Sequence, residues 1–420
     1  MKKRVTAAVL CVALSISLLA GCRDSSKETN IKDVKETGFD VNDEVSKFKM
    51  GDLNDTEKSY TIQMGYYNCD HMCASLIGKY AGIYDALGLN VNITKSAETI
   101  KALSSGQMDV GYIGIEGAIR AANNGAAFTM AAANHLGGSR YLVASNDITD
   151  ASQLVGKNIA ISTDADYNPE WLTWCQKLGI PSDVSQYNVV EMGQQDAMFA
   201  LKAGQISAFS CCDPYASTSI YQGFGHVLAT GWGAANVNAE TNQDDWGLCC
   251  IYAISNQFKE SCPELARRLV FAHELAIKYI YTHPYNAAMM FAEGFDVDPA
   301  VGLRTIYMKT VAEGRTLTWH FSQSNIESDH KYYTQFPEIP ESEIPSLDNY
   351  ETFVSTDLGE SAGLEDFQAF ISDSVDSSFP IGMSMSDWYA KAKEVDSISD
   401  SDAPDISVFV KEDESQASAR

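Results

Sequence analysis

From Tyr60 onward the chain alternates short apolar strands with amphipathic helices, and this alternation constrains its fold more than any other feature. Tyr60 to Tyr66 alternates with period two, as a half-buried strand does. Ser75 to Leu87 has helical spacing and stops at Gly88. Asn90–Ile93 then reads as a strand, Ser96–Leu103 as a helix, Val110–Ile113 as a strand and Ile115–Ala122 as a helix. Phe128–Ala133 and Tyr141–Ala144 follow as strands. A second series begins after Asp150: strand 156–161, helix Pro169–Leu178, strand Val189–Glu191, helix Asp196–Ala203, strand Ala208–Cys211, then strands Val227–Ala229 and Cys249–Ser255. Such alternation implies an α/β chain, with mostly parallel sheets covered by helices on both faces. From Pro263 the pattern turns helical. Leu265, Leu269, Ala272, Ala276 and Ile280 share one face, and His283-Pro284 ends the run.

The segment before this alternation has a different character. Met1-Lys2-Lys3-Arg4 precedes an apolar run from Val5 to Leu18, closed by Leu19-Ala20-Gly21-Cys22. A basic start, a short apolar run and small residues before a cut mark a secretory signal. The run, of about 14 residues, is too short to span a bilayer comfortably. The expectation is a lipoprotein signal peptide over 1–21 and a diacylglycerol on Cys22, holding the chain at the extracytoplasmic face of the cell membrane. Residues 22–57, polar and poor in aromatics, read as a flexible tether. Residues 396–420 read as an acidic disordered tail, since Ile406 to Val410 alone is too short to build a core.

Charge narrows the function. The chain carries 30 basic and 56 acidic residues. Loss of Lys2, Lys3 and Arg4 with the signal makes it more acidic still. A nucleic-acid partner needs a basic footprint, so that class is excluded. Of ten cysteines, Cys11 leaves with the signal and Cys22 takes the lipid. The other eight come mostly as close pairs rather than as a spaced disulfide framework, and free buried thiols pack as small apolar groups.

Four segments in order carry a resemblance. They are Gly78-Lys79-Tyr80-Ala81-Gly82-Ile83-Tyr84 with Leu87-Gly88-Leu89-Asn90-Val91; Ile100 through Gly106 to Asp109-Val110-Gly111; Asp147-Ile148 with Leu154-Val155-Gly156-Lys157-Asn158-Ile159-Ala160; and Ala203-Gly204-Gln205-Ile206-Ser207-Ala208-Phe209 with Asp213-Pro214-Tyr215. Together, over about residues 60 to 300, they resemble the type II periplasmic binding proteins of the nitrate/sulfonate/taurine group, which also contains binders of thiamine-pyrimidine precursors. Ser207 departs from the acid usual in that family, and residues 300–420 match nothing in it. The resemblance implies an α/β fold of two lobes with the ligand cleft between them, joined by crossing strands near Tyr141–Ala144 and Cys250–Ser255. Lobe one would take 58–146 and a helical second part, 257–395; lobe two would take 147–256. It also implies a monomer working with the permease and ATPase subunits of an ABC importer, with no cofactor and no catalysis.

In such sheets ligands lie beyond the carboxyl ends of the strands, against helix N-termini. The turns there offer Tyr67, Asn68, Asp70, His71, Met72, Glu116, Asn134, His135, Asp164, Tyr167, Gln194, Asp213, Tyr215 and Trp232 as ligand-binding candidates. Some of them would be solvated rim positions instead. Lys95 is the nearest basic residue. Carboxylates beside aromatic rings suit an amino group on a flat heterocycle. The preferred ligand is therefore a small nitrogenous solute, aminopyrimidine-like or an amine, ahead of a nitrate- or sulfonate-type oxyanion.

Cys69-Asp70-His71-Met72-Cys73 is the sharpest local oddity. Cys69, His71 and Cys73 are candidates for a soft metal, although C-x-x-x-C alone is no zinc signature. Cys211-Cys212 and Cys249-Cys250 would each offer one thiol, because neighbours in a strand point to opposite faces. Residues 247–256 resemble part of the cysteine-rich run of the fungal pyrimidine-precursor synthase, an iron enzyme with a histidine near His71's place. The competing reading is thus a secreted metal-dependent enzyme on the same scaffold. No G-x-S-x-G, H-E-x-x-H or phosphate loop occurs.

Overall fold

The computed structural model describes residues 40–137, 140–231 and 246–419. The signal segment 1–21, Cys22, the tether up to residue 39 and Trp232 lie outside the described residues. Among the described residues ten strands follow the expected periodicities: β1 (Ile62–Tyr66), β2 (Val91–Lys95), β3 (Val110–Gly114), β4 (Phe128–Leu136), β5 (Tyr141–Ser145), β6 (Asn158–Ala160), β7 (Asn188–Val189), β8 (Ala208–Cys211), β9 (Gly225–Thr230) and β10 (Leu248–Ser255). They form two five-stranded sheets of one plan, β2-β1-β3-β10-β4 and β7-β6-β8-β5-β9. Each begins with three parallel strands, and each then takes an antiparallel strand into its fourth place. This is the two-lobed α/β arrangement that the resemblance implies, with mostly parallel sheets that each admit an antiparallel strand.

The two strands expected to cross between lobes do not cross. β5 lies wholly in the second sheet, paired with β8 and β9, and β10 wholly in the first, paired with β3 and β4. The chain changes sheets between Leu136 and Tyr141, and again between Thr230 and Leu248. The first lobe therefore runs to Leu136 and resumes at Leu248, rather than running to 146 and resuming at 257.

Local chemistry sets the helices that face the cleft. Asn168 caps Pro169–Leu178 by accepting from the Glu170 N–H, Pro169 opens the helix, and Gly179 at φ 65° closes it. The helix expected over 75–87 is two, Ala74–Tyr80 and Ile83–Ala86, because Gly82 at φ 73° breaks the run. Helix Pro263–Thr282 was expected to bury one face but is buried nearly all round. Residues 300–395 supply its outer cover: Leu303, Ile306, Trp319, Phe367, Phe370 and Trp388 all join the first-lobe core. The polar residues this traps are paired, with Lys278 bonded to Glu274 (2.6 Å) and Glu365 (2.5 Å).

Both ends of the described chain correct the expectation of free segments. Asp40 caps helix Val41–Lys47, and Val41, Val45 and Phe48 are buried, with Phe48 stacked on Phe271 at 4.6 Å. Residues 40–57 are thus packed structure and not tether. Nor are residues 396–419 a solvated tail. Asp396 is buried and accepts the N–H groups of Tyr285 (2.9 Å) and Asn286 (3.1 Å). Ser407–Ala419 is helical, Ile406 and Phe409 are buried, and Glu412 binds Arg304 at 3.0 Å. A short apolar run cannot build a core, but it can complete one that exists.

Candidate functional site

The carboxyl ends of the parallel strands of both sheets face one cleft. After β1 the chain turns through Tyr67–Cys69 into the tight turn Asp70–Met72. After β3, helix Ile115–Asn123 starts at once and places Glu116 in its first turn. From the second lobe come Glu170, Gln194 and Cys212, at the N-termini of Pro169–Leu178 and Gln194–Lys202 and after β8. Together they line a cavity of about 370 Å³, the size for a small solute. Tyr67, Tyr112 and Tyr332 supply aromatic wall.

Above a floor of thiols and imidazoles, its walls carry two carboxylates and one guanidinium. Arg140 Nε lies 3.0 Å from Glu170 Oε2, and Nη2 donates to Ser210 Oγ at 2.8 Å. Burial raises the Glu170 carboxyl to about 7 even against the pull of Arg140. Burial likewise raises Glu116, with a hydrogen bond from Tyr333 acting the other way. Arg140 and Glu170 were not anticipated from sequence. The Asn168-Pro169-Glu170 cap was a usable signal for Glu170; Arg140 sits in a connection and had none. Lys95, the expected cation, is exposed and does not line the cavity.

Thiols and imidazoles form the cavity floor. β10 carries a bulge: Leu248 pairs with Leu136 and Cys250 with the adjacent His135, so Cys249 is an extra residue. The bulge overturns the expectation that Cys249 and Cys250 point apart. Their sulfurs are 3.6 Å from each other and 3.5 and 3.7 Å from His71 Nδ1. Cys211 and Cys212 do diverge, Cys211 into the second-lobe core and Cys212 into the cavity. The His71 ring stacks on His135 at 3.9 Å. Burial opposes charge on His71, but Asp70 and Cys249 outweigh it and lift the imidazole to about 10. Burial and the neighbouring His71 drive His135 down to about 4. The Cys249 thiol is held well below its usual range by a hydrogen bond with Cys250 and by His71. A hydrogen bond with Cys69, helped by His71 and Arg140, sets Cys212 at about 7. All eight described cysteines are free thiols.

Of the candidates named from sequence, Tyr67, His71, Met72, Glu116 and Gln194 line the cavity. Gln194 also accepts from the Cys212 N–H at 2.8 Å and so fixes that thiol. The others lie elsewhere. Asn68 and Tyr215 bond each other (2.7 Å), and Asn134 and His135 buttress His71 from β4, Asn134 Nδ2 donating to the His71 carbonyl at 2.6 Å. Asp164 and Tyr167 are exposed away from the cavity. Asp70 and Asp213 are fully buried in ion pairs, with Lys309 at 3.0 Å and with Arg304 at 3.6 Å. They serve the frame between the lobes, because a buried carboxylate must be matched. Cys73 packs in the first-lobe core, apart from the other thiols. Two sets of donors lie within 4.8 Å of one another: Cys69, Asp70, His71 and Cys212, and His71, His135 and Cys249.

Solved structures share this architecture. A ligand-binding component of an ABC-type import system from Staphylococcus aureus, with zinc bound, aligns with TM-score 0.53 at 15% identity over 72% of this chain and 99% of its own. The periplasmic nitrate-binding protein of Synechocystis PCC 6803 gives 0.52 at 14% over 80% and 98%. The alkanesulfonate-binding protein of Xanthomonas axonopodis pv. citri, bound to MOPS, gives 0.52 at 15% over 68% and 96%. Identities this low establish a shared fold, that of the periplasmic binding proteins. None of the curated proteins matches the chain. Residues 55–292, more than half of the chain and all ten described strands, match the NMT1-like family, to which this protein therefore belongs.

Proposed function

We propose that the protein is the extracytoplasmic solute-binding subunit of an ABC importer. It closes its two lobes on a small nitrogenous solute, an aminopyrimidine-like compound or an amine, and passes it to permease and ATPase subunits. One observation carries the ligand class: Glu116 and Glu170 face the cavity, while of its cations Arg140 already pairs with Glu170, and His71 with Asp70 and Cys249. A carboxylate left over beside tyrosine rings recognises an N–H donor on a flat ring. Membership in the NMT1-like family and the likeness to binding components of import systems support the transport role. Among the described residues no helix is long and apolar enough to cross a membrane. The attachment proposed is lipid on Cys22, which Cys22→Ala would abolish, releasing the protein from washed membranes.

A thermal-shift screen of aminopyrimidines, amines, alkanesulfonates and nitrate tests the ligand class. A ligand at 100 times its Kd adds about 2.7 kcal/mol to the native state. The expected result is stabilisation by an amino compound, lost in Glu116→Gln, with the solute recovered unchanged on denaturation. Stabilisation by sulfonates or nitrate alone would reject the nitrogenous ligand. Arg140 favours that second reading, since its side chain keeps 40% of its surface accessible. Conversion of the solute during incubation would reject capture in favour of catalysis.

A further inference from the structure

Cys69, Asp70, His71 and Cys212 bring two thiols, a carboxylate and an imidazole to one point, and the solute reading gives them no task. Three follow β1 in the first lobe; Cys212 follows β8 in the second. All four are buried, none more than 4% exposed. We propose that these four side chains bind one soft divalent metal ion of the zinc class, which ties the two lobes together beneath the cavity.

The geometry fits such an ion. Zinc takes sulfur at about 2.3 Å and nitrogen or oxygen at about 2.0–2.2 Å in a tetrahedron, so its ligands stand about 3.3–3.8 Å apart. Cys69 Sγ lies 3.4 Å from Asp70 Oδ1, and His71 Nε2 lies 3.7 Å from the same oxygen. The widest separation within the set is no more than 4.8 Å. A side-chain movement on the order of 1 Å closes the sphere. Four protein donors leave no open position, which is the form of a structural site. The alternative set of His71, His135 and Cys249 offers only three donors.

The surroundings hold the donors in place, as the partners of metal ligands do. The Cys212 N–H donates to Gln194 Oε1 at 2.8 Å, and the Asp70 N–H donates across the lobes to the Asp213 carbonyl at 3.0 Å. Lys309 Nζ sits 3.0 Å from Asp70 Oδ2, which leaves Oδ1 turned toward Cys69 and His71. Two thiolates and a carboxylate carry three negative charges against the ion's two positive ones, and Lys309, shared between Asp70 (3.0 Å) and the buried Glu313 (2.6 Å), offsets part of the remainder. As the metal–ligand bonds form, each thiol still protonated gives its proton to water, and so does the His71 imidazolium at Nε2, leaving the neutral ring that a metal takes. No electron changes hands.

Metal-free protein, kept reduced and anoxic, would be titrated with Co²⁺ and then with Zn²⁺. The proposal expects one Co²⁺ per chain, a thiolate-to-cobalt absorption band, and displacement by Zn²⁺. Cys69→Ser and Cys212→Ser should each weaken binding by about 100-fold or more, since loss of a mere partner of a ligand costs about 10–100-fold. The double variant Cys249→Ala/Cys250→Ala removes only the thiols beside His71 Nδ1 and should weaken binding by no more than about 10–100-fold, less than loss of either ligand thiol. No Co²⁺ uptake by the folded parent would overturn the proposal. So would binding that survives Cys69→Ser and Cys212→Ser but disappears in the double variant. Should a serine variant not fold, Zn²⁺ should still shield Cys69 and Cys212 of the parent from iodoacetamide; equal labelling with and without Zn²⁺ would overturn the site. Solute stabilisation measured on the same metal-free protein keeps this outcome separate from the transport reading.

Discussion

Arg304 of the first lobe and Asp213 of the second meet at 3.6 Å with both side chains buried. Arg304 also donates to Ser217 Oγ at 2.8 Å and holds Glu412, in the C-terminal helix, at 3.0 Å. One guanidinium thus joins a strand end of one lobe, a helix of the other and the last element of the chain. Removing one partner of a buried pair leaves the other charge unmatched. Arg304→Ala should therefore lower the unfolding free energy by about 3–5 kcal/mol in urea titrations. A loss below about 1 kcal/mol would show that the pair is solvated in solution.

Phe48 tests whether residues 40–57 belong to the folded body. It stacks on Phe271 at 4.6 Å under the Arg267 guanidinium, 4.2 Å from the ring. Phe48→Ala should cost about 3 kcal/mol, the lower end for a buried aromatic. A tether residue would cost nothing.

Asp396 should make stability depend on pH. Burial raises its carboxyl from 3.8 to about 7, against the N–H bonds it accepts from Asn286 and Tyr285. Between these values the folded state keeps a proton that the unfolded state has lost. The Asp396 contribution is whole below about pH 4 and falls away as pH rises toward 7. Asp396→Asn should flatten that part of the stability profile measured by denaturant titration at successive pH values.

Cys249 should be the most reactive thiol of the metal-free protein near pH 6.5. Its neighbours Cys250 and His71 favour the thiolate, and it is the one described cysteine that is not fully buried. Peptide mapping after brief iodoacetamide treatment should find it modified first. His71→Gln should slow that modification by roughly 10-fold, because less thiolate is present. Equal rates in the two proteins would remove His71 as its partner.

Glu170 gives the solute reading a pH signature. With its carboxyl near 7, the cavity gains negative charge as pH climbs from 6 to 8. Affinity for an amino solute should rise across that range in calorimetric titrations, and Glu170→Gln should reduce the rise to the part that Cys212, also set at about 7, supplies. An oxyanion would show the reverse slope.

Much of the frame was legible in sequence because its signals are local. Helix Pro169–Leu178 and strand β8 fall on the residues expected, bounded by a cap, a proline and a glycine within the same stretch. The misreadings share one cause, a partner far away along the chain. Phe48 and Phe409 look solvated until Phe271 and Tyr221 are beside them. Asp70 and Asp213 look like ligand groups until Lys309 and Arg304 arrive. Cys250 looks turned away from Cys249 until its register with His135 reveals the extra residue. Tyr67, His71 and Glu116 were found because they follow strands directly, and Arg140 was missed because it follows a connection.

The way β10 enters the first sheet has a consequence for biogenesis. All five strands of the second sheet lie between residues 141 and 230, so that sheet is complete once this stretch has emerged. The first sheet then still has a gap between β3 and β4, which only residues 248–255 fill. Until they arrive, two strand edges stand open beside apolar faces, the condition under which chains pair wrongly with one another. The nascent protein is most in need of a chaperone during that interval, and a stall just before Leu248 should yield more aggregate than a stall after Ser255.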